Sequence, residues 1–102
     1  MKIFGIESTC DDTSMSILCT ESRKILKERS YSQIRHHFPV YGGIVPALAQ
    51  KLHMEKLESL FKSFSNDFEN EIDLIAVANR PGLPYSLKSG LEFAAGLCNK
   101  YM

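Results

Sequence analysis

The hydrophobic period of the chain changes near Val45, and that change limits the folds open to it more than any other feature. Alternating apolar residues put one face of a strand into a core, whereas spacings of three and four line one side of a helix. Residues 2–7, 13–20 and 25–32 follow the first pattern, carrying Ile3, Phe4 and Ile6, then Ile17, Leu18 and Cys19, then Ile25, Leu26 and Tyr31. Polar turns at 8–12 and 21–24 join these segments, which predicts an antiparallel meander. Pro39 and Gly42-Gly43 predict a loop over 33–43, where the backbone needs freedom. From Val45 the stripe Val45, Leu48, Ala49, Leu52, Leu57, Leu60, Phe61 and Phe64 predicts a helix, with Pro46 suited to its first turn.

A polar link is expected over 65–70, then a short apolar, β-branched run over 72–78 that reads as a central strand. A turn at 79–84 leads into a second helix over 86–100, with Leu87, Leu91, Ala94, Ala95 and Cys98 near one side. Gly90 and Gly96 lower its intrinsic propensity and let it approach a neighbour or a ligand closely. The order is β-β-β-α-β-α, an α/β arrangement within one domain over residues 1–102. A chain of 102 residues leaves no room for a second domain. It buries only roughly 60–65% of the surface its unfolded form exposes.

Lys plus Arg number 12 and Asp plus Glu number 12, so no net charge recruits DNA or an anionic membrane. The charge is unevenly placed. Arg23, Lys24, Lys27, Arg29, Arg35, Lys51 and Lys56 face only Glu28 and Glu55 over 23–56, while Asp67, Glu69, Glu71 and Asp73 lie in a stretch without a base. These are either two solvated surfaces or, for the first, a surface that holds a polyanion such as RNA. Cys10, Cys19 and Cys98 form no CxxC pair, and their odd number reads as free thiols in a reducing compartment. The start lacks a secretory hydrophobic region and no run reaches the length of a membrane span. A cytoplasmic location, or the interior of an organelle, is expected.

Three groups of residues could carry chemistry. Glu7-Ser8-Thr9-Cys10-Asp11-Asp12 follows the first strand, where carboxylates can orient a metal-bound phosphate and turn N–H groups can face its oxygens. The competing account is an acidic hairpin turn capped by its own side chains. Cys10 is a poor nucleophile because the adjacent acids raise its pKa. Tyr41-Gly42-Gly43-Ile44-Val45-Pro46 leads into a helix and could cradle an anion, but no Gly-Lys-Ser/Thr follows. His53 has Ala49 and Leu57 at i−4 and i+4, so it is no half of a local zinc motif and reads as a helix-surface residue. His36-His37 reads as structural or surface. Arg80-Pro81-Gly82-Leu83, with Lys88, Ser89 and Gly90, is either a ligand loop beyond a strand end or a tight turn.

Gly5-Ile6-Glu7-Ser8-Thr9-Cys10-Asp11-Asp12-Thr13-Ser14 resembles the opening of the tRNA N6-threonylcarbamoyladenosine transferases, formerly called O-sialoglycoprotein endopeptidases. The block from Tyr41 to Pro46 with His53, and the block Pro81-Gly82-Leu83 with Gly90, Phe93-Ala94 and Gly96-Leu97, resemble two further segments of that family. The element order matches the ribonuclease-H-like lobe of the actin-like ATPase fold used by sugar kinases, Hsp70 and actin. The resemblance implies transfer of a threonylcarbamoyl group from its adenylate to N6 of adenosine 37 in tRNAs reading codons that begin with adenine. It implies one divalent metal (iron or zinc), an adenylate or ATP ligand, and partners in tRNA and the other subunits of a threonylcarbamoyladenosine synthesis complex. No membrane or DNA partner is expected.

Carried over by position, Glu7 and Asp11 become the catalytic acids, and Ser8, Thr9, Gly42 and Gly43 the cofactor-binding residues. Ala47 and Lys51 stand where the family usually has Glu and Arg, and Arg80 stands for a Gly, followed by Pro84 and Tyr85. The family's metal-binding histidines, its later aspartate and its second domain would fall after Met102, so the lobe is expected to be truncated, with no metal ligands within this chain. The alternatives are a noncatalytic interaction domain or truncated paralogue in a tRNA-modification complex, and a small ribonuclease-H-like nuclease. The nuclease would need further acids, yet the run over 72–78 ends in Ala78-Asn79.

Overall fold

A computed structural model describes residues 1–68 and 71–102. Three strands, β1 (Lys2–Glu7), β2 (Asp12–Cys19) and β3 (Lys24–Ser32), form the expected meander. Two helices follow, α1 (Ile34–Tyr41) and α2 (Pro46–Phe61), then the single turn α3 (Ser65–Phe68), the strand β4 (Leu74–Val77) and the helix α4 (Pro84–Tyr101). The sheet order is β3-β2-β1-β4, with β4 parallel to β1 and the other pairs antiparallel.

Two short helices correct the expected β-β-β-α-β-α order. The segment expected as a loop over 33–43 contains α1, which carries Pro39 inside it and ends on Gly42 at φ 76°, in the left-handed region. Pro39 removes one backbone donor but leaves a helix this short intact, and Gly42 caps it by donating its N–H to the Phe38 carbonyl at 3.0 Å. The second is α3, within the expected link over 65–70; the last two residues of that link, Glu69 and Asn70, lie outside the described residues. A third correction concerns β4. It is an edge strand of this sheet, with Leu74 and Ala76 exposed, because its outer side has no neighbour among the described residues.

The core lies on one face of the sheet. Phe4 and Ile6 of β1 and Met15 and Ile17 of β2 point to it, with Leu57 of α2 and Ala94 and Leu97 of α4 closing over them. Phe4 is its centre, with edge-on contacts to Phe68, Phe64 and Phe61 at centroid distances of 4.7, 5.2 and 6.1 Å. Such pairs add about 0.5–1.5 kcal/mol each beyond area burial. On α4 the buried residues are Ser86, Leu87, Ser89, Gly90, Ala94 and Leu97, whereas Leu91, Ala95 and Cys98 are exposed. The helix is rotated from the expected face because its small residues, not its leucines alone, lie against the sheet.

The acidic stretch is tied to the strands. Asp67 pairs with Lys27 of β3 at 3.0 Å, Glu71 pairs with Lys2 at 2.7 Å, and Asp73 accepts the Lys2 backbone N–H at 2.7 Å. These half-exposed contacts contribute little energy each but fix where the chain re-enters the sheet. No helix of the described residues is long and apolar enough to cross a membrane.

Replacing Phe4 by Ala is expected to cost about 3–5 kcal/mol in urea unfolding. A loss below about 1 kcal/mol would show that the aromatic cluster does not hold the sheet to its helices.

Candidate active site

The loops after β1 and β4 leave the same end of two parallel strands, the position where open α/β sheets hold ligands. The turn after β1 is held there by its own backbone. Three consecutive carbonyls each accept a hydrogen bond from a different part of the chain: Thr9 from the Leu83 N–H at 2.7 Å, Cys10 from His53 Nε2 at 2.8 Å, and Asp11 from the Gln33 N–H at 2.9 Å. The three bonds draw the start of α4, the middle of α2 and the residue after β3 onto one turn. The three motif blocks of the sequence thereby converge.

His53 corrects the expectation of a helix-surface histidine: it is fully buried. It stands between Ala49 and Leu57 on the buried side of α2. A carbonyl can only accept, so Nε2 carries the proton toward Cys10 and Nδ1 accepts from the Thr13 hydroxyl at 2.7 Å. Burial lowers its pKa from the ordinary 6.5, against the opposing pull of the Cys10 carbonyl and the charges of Glu7, Asp11 and Asp12. The spacing that argued against a zinc motif was the available signal, because apolar neighbours at i±4 place a residue on the core stripe. His37 is also buried. Its Nδ1 accepts the Val45 N–H at 2.9 Å and its Nε2 donates to Gln33 at 2.6 Å, so it fastens the Gly42-Gly43 loop from within.

Glu7 accepts both the N–H of Thr9, at 2.7 Å, and the Thr9 hydroxyl. The N–H and the side chain of Thr9 therefore face a carboxylate in this structure. Ser8 is fully buried and donates to the Ser86 carbonyl at 2.9 Å. The hydroxyl of Ser86, fully buried beside it, has no hydrogen-bond partner among the described residues. Two glycines make room for this packing. A Cβ on Gly90 would lie 2.5 Å from Ser8 Oγ, and one on Gly82 would lie 2.5 Å from the Thr9 carbonyl oxygen. Gly42 and Gly43 differ: nothing lies within 4 Å of a Cβ at either, so Gly42 answers to its positive φ. Arg80, which stands where the family usually has Gly, is exposed, and the close backbone approach in this loop is at Gly82. Asp11 and Asp12 are half-buried.

The Cys10 thiol is pushed up by burial first and then by Asp11, Glu7 and Asp12, the opposite of what a thiolate nucleophile needs. On the face of the sheet away from the core, Glu7, Gly5, Ser14, Ser16, Glu28 and Ala78 help line a shallow depression of about 400 Å³. Among the described residues, no three His, Cys, Asp or Glu side chains gather as a metal would require. Both ring nitrogens of His37 and His53 are engaged by protein groups. These residues do not fit a metal.

A family of proteins described as tRNA N6-adenosine threonylcarbamoyltransferase matches residues 24–102. The relative of that name from Campylobacter curvus is 42% identical over 95 residues, covering 93% of this chain and 27% of the relative. The one from Chlamydia muridarum is 39% identical over 102 residues, covering 97% of this chain and 29% of the relative. The chain thus spans less than a third of the length of these relatives. Among solved structures, YeaZ from Pseudomonas aeruginosa has the same fold, with a TM-score of 0.58 and 13% identity over 98% of this chain and 39% of that one.

Two outcomes test this geometry. Gly90→Ala should cost about 1–3 kcal/mol by forcing out the Ser8 hydroxyl. Combined with Ser8→Ala it should cost at least about 0.5 kcal/mol less than the two changes summed, and strict additivity would refute the contact. For His53, the unfolded chain takes up the proton first as pH falls, because the folded pKa is the lower one. Stability should be complete above the ordinary 6.5 and fall on acidification below it. In His53→Gln, which keeps a donor for Cys10, that part of the pH dependence should disappear in urea titrations; parallel profiles would refute the assignment.

Proposed function

Because the chain belongs to the tRNA N6-adenosine threonylcarbamoyltransferase family, we propose that it forms the N-terminal, ribonuclease-H-like lobe of such an enzyme. The transferase moves a threonylcarbamoyl group from threonylcarbamoyl-adenylate to N6 of adenosine 37 in tRNAs reading codons that begin with adenine. The observation that supports this reading is the meeting of all three motif blocks on the carbonyls of Thr9, Cys10 and Asp11, at the open end of two parallel strands.

In the reaction the N6 amine attacks the carbamoyl carbon, the new C–N bond forms, the bond to the adenylate phosphate breaks, and the amine loses a proton. Such a step depends mainly on holding donor and amine in line. Glu7 fixes the turn by binding Thr9, and Asp11 supplies a carboxylate on that turn whose backbone is immobilised by Gln33. Ser8 contributes by locking the turn to α4, and Thr9, Gly42 and Gly43 lie on the two loops that would border the adenylate. No step is assigned to a metal, whose ligands this reading places outside the chain. The enzyme would work in the cytoplasm with tRNA and other subunits of a threonylcarbamoyladenosine synthesis complex.

The test replaces the matching segment of the Campylobacter curvus relative with residues 1–102 and assays threonylcarbamoylation with purified protein, tRNA and the adenylate donor. The chain alone should give no turnover and the chimera should be active. Asp11→Ala in the chimera should lower kcat/KM roughly 100-fold with the fold retained. A folded but inactive chimera would favour the noncatalytic interaction domain instead, and robust turnover by the 102 residues alone would overturn the fragment account.

A further inference from the structure

Outside the site, one group of side chains gathers positive charge without an acid to balance it. Tyr31 of β3 lies under two cations from different helices, Lys56 of α2 with its Nζ 4.2 Å from the ring centroid and Arg35 of α1 at 5.4 Å. His36 joins them, its Nε2 2.7 Å from the Tyr31 hydroxyl, which also accepts from Arg35 Nη2 at 3.2 Å. The two distances to one centroid place both cations within about one Debye length of each other at 0.1 M salt. Neither forms an ion pair with a carboxylate among the described residues. The ring tempers the repulsion of the pair but does not neutralise it.

The geometry is fixed. His37, on the same helix as Arg35 and His36, binds the Val45 N–H just ahead of α2, which sets the two helices against each other. One face of Tyr31 carries Lys56, and its ring is tilted 31° to that of His36 at 6.3 Å. What the cluster presents outward is a planar guanidinium, an ammonium and an imidazole. That set suits the oxygens of a phosphate.

We propose that Arg35, His36 and Lys56, arranged around Tyr31, bind a backbone phosphodiester of RNA; this rests on the tRNA-modifying reading above. The experiment measures binding of the chain to an unmodified tRNA transcript and to a polyuridine strand of equal length over a range of salt. Arg35→Gln and Lys56→Gln should each weaken binding about tenfold and reduce the slope of log K against log salt by about 1. Lys100→Gln, which removes a cation 5.2 Å from the Tyr101 ring, should change neither. Folding of each variant is checked by thermal unfolding. Binding of the transcript without these losses would overturn the cluster while leaving the tRNA reading standing. Equal binding of both strands with the losses would uphold the cluster and refute only tRNA preference. Failure of the unaltered chain to bind either strand, or equal displacement of RNA by decaglutamate, would overturn the phosphate assignment.

Discussion

Three hydrogen bonds to three successive carbonyls do more to organise this molecule than its hydrophobic core alone. The core sets sheet against helices but would tolerate small shifts of one helix along another. The carbonyls of Thr9, Cys10 and Asp11 do not, because each would lose its partner if Leu83, His53 or Gln33 moved by an ångström or two. The turn at 8–12 is therefore rigid for reasons of backbone satisfaction, and its acids inherit that rigidity. Glycine at 82 and 90 is the steric counterpart: the backbone of the start of α4 comes close enough to reach the turn only where no Cβ intervenes.

Much of this was legible in the residues before any coordinates. The meander could be read because alternation, turn residues and β-branching agree over 2–32, and the strand ends fall within one residue of those expected. The two long helices are legible from their spacings of three and four and, for α2, from Pro46 in its first turn; Pro84, read as the end of a turn, instead opens α4 two residues earlier than expected. The rest depended on long-range contacts that periodicity does not record. The face of α4 was misjudged because Leu91 outranks Gly90 in hydrophobicity, yet only Gly90 fits against Ser8. His53 looked like a surface residue since a polar side chain is costly to bury, and its two partners, Thr13 and Cys10, lie some forty residues away. The edge position of β4 was hidden because an apolar run reads the same whether its neighbours are present or lie outside the segment at hand.

The candidate site shows the same division. That acids follow β1 was plain from the sequence; that Glu7 turns back onto Thr9 was visible only as one of two readings, and the structure makes that contact. The uneven charge also resolves into two different uses. On the acidic side, Asp67, Glu71 and Asp73 are drawn in by Lys27 and Lys2, so they close the fold. On the basic side, Arg35 and Lys56 are gathered around an aromatic ring and form no ion pair with a carboxylate among the described residues.

The two edges of the sheet are unlike each other. The strand β3 carries exposed Lys24 and Arg29 and a register shift against β2 at Ile17 and Leu18, features that discourage a foreign strand from docking. Along β4 there is no charge at all, only Leu74, Ile75, Ala76 and Val77. Such a sheet can be extended from one side alone. A further strand would therefore join along β4 rather than along β3.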